Sequence, residues 1–175
     1  MVNFVFLLVF SFLNFTEPAE DYIEWDAERP LTWADFKGIP AKDSPNAALT
    51  SSGILADFSF GSKGLSFKIK CRFNKNRSWV KIKTDVILKH EQGHFDITEI
   101  FARKFNKALL EYSYNDKTVQ NDLQKIYQDI LNEHQQWQIL YDKETNHSIN
   151  LEMQRNWEVK IFETLKSLEE YNNYS

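Results

Sequence analysis

Residues 87–108 read ILKHEQGHFDITEIFARKFNKA, and the spacing of apolar side chains in this stretch decides the fold class of the C-terminal half. Apolar residues recur at intervals of three and four, as at Ile97 and Phe101. This interval places them on one face of an α-helix. The stretch therefore predicts a long amphipathic helix that packs on the rest of the domain.

The same period continues toward the C-terminus. It predicts a second helix carrying the apolar residues from Val119 to Tyr141 and a third along the stripe from His147 to Leu168. Polar stretches at 113–116 and 142–146 are expected to separate the three helices. Between residues 83 and 171 the chain has one glycine and no proline, which favours helices throughout this half.

The chain before residue 83 has the pattern of strands and turns. Residues 65–73, LSFKIKCRF, alternate strictly between apolar and polar side chains, which predicts a strand with one buried face. Cys71, the only cysteine, lies on that face, so the fold depends on no intrachain disulfide. Other predicted elements are strands at 22–25, 31–33, 49–60 and 79–82 and a hairpin connection at 61–64. The sequence predicts an α+β domain, with a small antiparallel sheet followed by three helices.

Length and composition indicate one globular domain preceded by a leader. The 175 residues are 42% hydrophobic and 26% charged, with a net charge of -4, and they carry no basic stripe of the kind that nucleic-acid-binding proteins use. Residues 1–13 are almost wholly apolar and too short for a comfortable membrane span, as in a signal peptide. We therefore expect a leader at 1–19, a single domain at 20–175 and an exported, periplasmic or secreted protein. Membrane association is expected only through an uncleaved leader.

The predicted first helix contains the pattern His90-Glu91-Gln92-Gly93-His94 on its inward face. Two histidines four residues apart on a helix can bind one Zn²⁺, and the glutamate after the first can act as base toward a water that the metal activates. A glycine inside a helix costs about 1 kcal/mol relative to alanine. Gly93 therefore suggests that a neighbouring backbone or a substrate approaches the helix closely.

A catalytic zinc site normally has three protein ligands and one open position. We expect His147, just before or within the first turn of the third helix, to supply the third ligand. The apolar stripe that continues at Leu151 should turn its imidazole toward the core, and the preceding polar break would let its side chain reach a cleft mouth. His134, Asp142 and Glu144 are the alternatives. His134 also fits a core histidine of the second helix.

Three stretches together resemble a bacterial domain-of-unknown-function family described as predicted secreted zinc-dependent proteases. They are residues 29–38 (RPLTWADFKG), 90–97 (HEQGHFDI) and 141–148 (YDKETNHS), and the resemblance covers nearly all of the chain after the leader. It implies zinc ligands at His90, His94 and His147, a catalytic Glu91, a zincin-like fold and an exported protein.

The sequence thus predicts a zinc metallopeptidase that acts on a peptide or protein substrate with Glu91 as general base. A zinc hydrolase of another amide or ester, such as a cell-wall component, is the alternative. A non-catalytic envelope module with structural zinc is the third reading. Structural zinc sites use four protein ligands, usually including cysteines, and the chain has no second cysteine.

Overall fold

A computed structural model describes residues 21–62 and 64–174 of the chain. Five strands precede three helices, which confirms the predicted α+β class. The elements are β1 (Tyr22–Glu24), β2 (Ala48–Leu49), β3 (Ser52–Gly61), β4 (Gly64–Asn74), β5 (Trp79–Val80), α1 (Asp85–Leu110), α2 (Val119–Thr145) and α3 (Leu151–Ser167). The predicted leader at 1–19 lies outside the described residues.

The main sheet is antiparallel, with strand order β1-β4-β3. The alternation predicted for residues 65–73 is confirmed in β4, where Ile69, Cys71 and Phe73 are buried. β3 pairs with β4 along its whole length, from Ser52 opposite Phe73 to Gly61 opposite Gly64. Lys63, within the predicted hairpin connection, lies outside the described residues.

β2 and β5 form a separate two-stranded sheet in which Ala48 pairs with Val80 and Leu49 with Trp79. The predicted strand at 79–82 therefore exists in shortened form, but it does not extend the main sheet. The predicted strand at 49–60 is divided between β2 and β3, so that the connecting residues Thr50 and Ser51 pass from one sheet to the other.

The predicted strand at 31–33 is wrong, because a short 3-10 helix occupies Trp33–Asp35. Asp35 Oδ2 accepts hydrogen bonds from the backbone N–H of Thr32 at 2.8 Å and from its hydroxyl at 3.0 Å. Asp35 Oδ1 lies 2.7 Å from Arg29 Nη2. Burial acts to raise the pKa of Asp35, but Arg29 and the two Thr32 bonds lower it on balance. This capping arrangement explains most of the polar residues in the 29–38 motif.

Helix α1 is the central element, since it packs on the main sheet, on α2 and on α3. Thr84 caps its N-terminus by accepting a hydrogen bond from Ile87 N–H. Phe95, Ile97, Ile100, Phe101, Ala102 and Phe105 are at most 1% exposed, which confirms the predicted apolar face. Among the described residues, no helix is long and apolar enough to span a membrane.

The predicted break at 142–146 is wrong, because α2 continues to Thr145. The helix ends in three consecutive left-handed residues, Asn146, His147 and Ser148, with φ values of 47°, 50° and 73°. α3 then begins at Leu151, where the Asn150 side chain accepts a hydrogen bond from Met153 N–H. Asp142 and Glu144 therefore project from a helix, and His147 lies in a loop before α3 rather than within it.

Candidate metal centre

The helical spacing brings the two histidines of α1 together as the sequence predicts. His90 Nε2 lies 3.2 Å from His94 Nε2, and the ring centroids are 4.7 Å apart. His90 is buried among α1, α2 and α3, where its ring stacks on Tyr141. Packing against Tyr141 of α2 and Gln154 of α3 leaves the imidazole little freedom to turn away.

Asp142, on α2, completes a three-residue group with these histidines. Its Oδ1 lies 3.1 Å from each Nε2 atom. One donor atom from each of the three residues lies within 4.8 Å of the others, as a single metal ion requires. The continuation of α2 through residue 142 places this carboxylate opposite α1.

His147 lies outside this three-residue group but borders it. Its Nδ1 is 3.3 Å from Asp142 Oδ1, and its side chain is 58% exposed. The expectation that its imidazole turns toward the core is therefore wrong, because the left-handed loop directs it to the mouth of the cleft. Its role as a metal ligand stays a prediction.

The other two alternatives are engaged elsewhere. Burial lowers the pKa of His134 to about 4. Its Nε2 accepts a hydrogen bond from Gln138 Nε2 at 2.9 Å. Glu144 Oε2 accepts a hydrogen bond from Trp157 Nε1 at 2.7 Å, which ties α2 to α3.

Two glutamines that the sequence analysis missed contact the outer nitrogens of the histidine pair. Gln154 Oε1 lies 3.1 Å from His90 Nδ1, and Gln138 Oε1 lies 2.5 Å from His94 Nδ1. Gln154 is buried on the apolar stripe of α3. A polar residue on such a stripe was the available signal for it, whereas Gln138 offered only its position four residues after His134.

Glu91 has an unusual environment for a carboxylate. The residue is only 4% exposed, and its Oε2 is buried without a hydrogen-bond partner. An unpaired buried carboxylate oxygen is costly, so such atoms are uncommon unless a ligand, ion or water satisfies them. Glu91 also lines the same cleft as both histidines and Asp142.

The cleft has a volume of about 400 Å³. One wall is the segment 46–52, which includes β2, and the other is formed by α1, α2 and the loop at 147–148. The hydroxyl of Thr50 donates to the backbone carbonyl of Glu91 at 3.1 Å, which fixes the strand wall to the helix.

Among the described residues, the close approach to Gly93 comes from a side chain and not from a neighbouring backbone. A Cβ placed on Gly93 would collide with the Tyr141 ring, at 2.8 Å from Cζ. Tyr141 is fully buried there and donates to the carbonyl oxygen of His90 at 3.2 Å. The predicted close approach exists, and it lets Tyr141 pack behind the histidine pair.

The charges of the site are coupled. Burial acts to lower the pKa of His94, but the neighbouring Asp142 carboxylate raises it on balance. For Asp142, burial acts to raise the pKa, but the two imidazoles lower it strongly. The opposite directions of the two shifts follow from the close approach of the two side chains, whose Nε2 and Oδ1 atoms are 3.1 Å apart.

The donor set fits a zinc ion. Two imidazole nitrogens and a carboxylate oxygen are ligands that zinc accepts in catalytic sites. The Nδ1 atoms face glutamine carbonyl oxygens, so the protons of neutral imidazoles belong on Nδ1 and the Nε2 lone pairs point inward. Two lone pairs and a carboxylate that converge without a cation would repel one another.

The fold and the three-donor group define an α+β domain with a candidate metal centre on its central helix. Residues 68–148 match the model of a family described as bacterial protein of unknown function (DUF922). The match confirms the resemblance to a bacterial family of unknown function, and it includes both motif histidines, Asp142 and His147. No curated protein and no solved structure matches the chain.

Proposed function

We propose that this protein is a zinc-dependent metallopeptidase in which His90, His94 and Asp142 hold the metal and Glu91 is the general base. The proposal rests on one observation above all: the buried, unpaired oxygen of Glu91 lines the same cleft as three converging donor atoms. Three protein ligands leave a fourth position open, as catalytic zinc requires. His147 is the alternative third ligand, since it lies beside Asp142.

When bound, zinc would polarise a substrate carbonyl and lower the pKa of a water molecule. The protein's own part is proton transfer and orientation. Glu91 would accept a proton from the attacking water and then deliver it to the leaving amine. Its unpaired Oε2 is free for this exchange, because no residue of the described chain competes for it.

A peptide substrate is favoured by the strand that forms one wall of the cleft. Within the described chain, β2 pairs only with β5, so its other edge has no strand partner. An extended peptide can bind such an edge through main-chain hydrogen bonds. The Thr50 bond to Glu91 would then hold this strand in register with the general base.

The direct test is incubation of the purified protein with a diverse peptide library, read by mass spectrometry. Zinc-loaded protein should cleave peptides, and both chelator-treated protein and the Glu91→Gln variant should not. Zinc binding at one ion per chain without any cleavage would favour the alternative, a zinc hydrolase of a cell-wall amide or another non-peptide bond. If the protein bound no zinc, the metallopeptidase proposal and the alternative zinc hydrolase would both be ruled out.

We also propose that residues 1–19 direct export, on the strength of their apolar run. Expression of the full chain in a bacterium, followed by fractionation, tests this. Recovery in the periplasm or medium is expected, whereas recovery in the cytoplasm would contradict it.

A further inference from the structure

The two motif histidines are each contacted by a glutamine from a different helix. His94 Nδ1 faces Gln138 of α2, and His90 Nδ1 faces Gln154 of α3. Amide groups can present either a carbonyl oxygen or an NH₂ group, and the choice decides which imidazole nitrogen carries the proton. The surroundings of each amide therefore matter for metal binding.

The amide of Gln154 is oriented by acceptors on its nitrogen side. Its Nε2 donates to the Tyr141 hydroxyl at 2.9 Å and to Glu158 Oε1 at 3.3 Å. A flipped amide would place its carbonyl oxygen against the Glu158 carboxylate. The observed orientation directs Oε1 toward His90 Nδ1.

The amide of Gln138 is oriented in the same way by other partners. Its Nε2 donates to the backbone carbonyl of His94 at 2.9 Å and to His134 Nε2 at 2.9 Å. A flipped Gln138 amide would place its carbonyl oxygen against the backbone carbonyl oxygen of His94. His134, which faces the cleft but lies outside the metal group, thereby helps to set the Gln138 amide.

We propose that Gln138 and Gln154 are positioning residues that hold the proton of each motif histidine on Nδ1, so that both Nε2 lone pairs face the metal position. This inference rests on the proposed zinc site. Outer partners that accept from a ligating histidine fix its tautomer and ring direction, and their loss typically weakens metal binding about 10- to 100-fold. Here α2 and α3 would each orient one histidine of α1.

The test compares variants of the full chain for zinc affinity, by competition with a chromophoric chelator. Gln138→Met keeps the length of the side chain but removes its acceptor and should weaken zinc binding about 10- to 100-fold. Gln138→Glu keeps an acceptor for His94 Nδ1–H but places a second oxygen against the His94 backbone carbonyl, so it should bind zinc more weakly than wild type and more tightly than Gln138→Met. Gln135→Leu, an exposed position on the same helix, is the matched control and should change nothing.

A second readout is the His94 Nδ1–H proton in nuclear magnetic resonance spectra of the zinc-loaded proteins. A protected Nδ1–H signal is expected in wild type and in Gln138→Glu, and its loss is expected in Gln138→Met. If Gln138→Met does not fold, Gln138→Leu and the parallel Gln154→Leu variant provide the same comparison.

The outcomes separate this inference from the proposed function. Wild-type protein that binds no zinc would remove the proposed function and the inference with it. Wild-type protein that binds zinc, with unchanged affinity and an unchanged Nδ1–H signal in Gln138→Met, would overturn the inference alone.

Discussion

Helix α1 carries two buried glutamates, and their surroundings are opposite. Glu99 is 1% exposed and fully paired: its Oε1 lies 2.8 Å from Arg103 Nε, and its Oε2 accepts a hydrogen bond from the Tyr174 hydroxyl. Glu91, two turns earlier, is 4% exposed and leaves Oε2 unpaired. A carboxylate that only stabilises a fold is expected to be satisfied by the fold itself.

The difference extends to the neighbours of the two residues. Around Glu99, Arg103 supplies a compensating charge and also donates to the carbonyl of Leu165, so this end of the helix is locked to α3. Around Glu91, the neighbouring side chains are the two histidines and Asp142. When the imidazoles are neutral, all three direct lone pairs at one point. The cleft end of α1 therefore presents a group that could hold a metal ion, whereas the far end carries its own cation, Arg103.

Replacement of Glu91 by glutamine should have the largest effect on activity. The variant removes the proton acceptor but keeps the shape, so turnover of a cleaved peptide should fall about 10²- to 10⁴-fold. Zinc content and the unfolding midpoint should not fall, because Oε2 has no partner to lose. Steady-state kinetics on one peptide from the library measures the change. Turnover within tenfold of wild type would remove Glu91 as general base.

Replacement of Arg103 by methionine should have the largest effect on stability. Removing one partner of a buried ion pair leaves the other charge uncompensated and costs about 3–5 kcal/mol. Urea unfolding measures this loss, and zinc affinity at a temperature where the variant is folded should equal that of wild type. A weakened zinc affinity in the folded variant would mean that the two ends of α1 are coupled.

Introduction of a side chain at Gly93 probes the packing behind the histidines. Alanine is intrinsically better than glycine in a helix by about 1 kcal/mol, but overpacking a core costs about 1–3 kcal/mol. Because the new Cβ would meet the buried Tyr141 ring, Gly93→Ala should destabilise the protein and weaken zinc binding.

The matched control for Gly93→Ala is Gly53→Ala, in β3, where an added Cβ meets nothing within 4 Å. The control should be neutral or slightly stabilising in urea unfolding. A neutral Gly93→Ala variant would mean that Tyr141 can shift without disturbing His90, on which it stacks.

The difference between the two ends of α1 also explains what the sequence could predict. The period of residues 87–108 was sufficient for the helix and for the inward face that carries His90, Glu91 and His94. Glu99 and Arg103 have the same i, i+4 spacing as the histidines, and only tertiary packing distinguishes an ion pair from a candidate metal site. Local spacing carries no information about what α2 and α3 bring against α1.

Asp142, the third residue of the candidate metal site, shows the same limit of prediction from local spacing. The polar run at 142–146 suggested a break, yet it contains no glycine or proline, and α2 continues until the left-handed Asn146 ends it. That extension places Asp142 opposite the histidines and His147 at the rim. Gln138 and Gln154 required knowledge of how three helices pack, which periodicity does not provide.

The smallest predicted effect is the pH dependence of the metal-free protein, which tests whether a proton occupies the cation position at the cleft end. The pKa of His94 is raised by Asp142, so the pair contributes its full stabilisation at pH values below the unfolded histidine pKa of 6.5. This stabilisation is lost as pH rises through the folded pKa. The lowered pKa of Asp142 keeps the pair intact above the unfolded value of 3.8. Asp142 is 35% exposed, so solvent screening limits the effect to about 1 kcal/mol or less.

Urea unfolding of chelator-treated protein at pH 5.5 and 8.5, compared with Asp142→Asn, isolates this contribution. His134 acts with the opposite sign, because its pKa of about 4 means that stability is lost as pH falls below 6.5. The difference in free energy of unfolding between wild type and Asp142→Asn removes the His134 contribution. This difference should be larger at pH 5.5 than at pH 8.5. Added zinc should reverse the trend in wild type, since the metal displaces the proton and binds more tightly as pH rises. A difference that is independent of pH would show that no proton bridges His94 and Asp142, and that the two ends of α1 differ in geometry but not in charge.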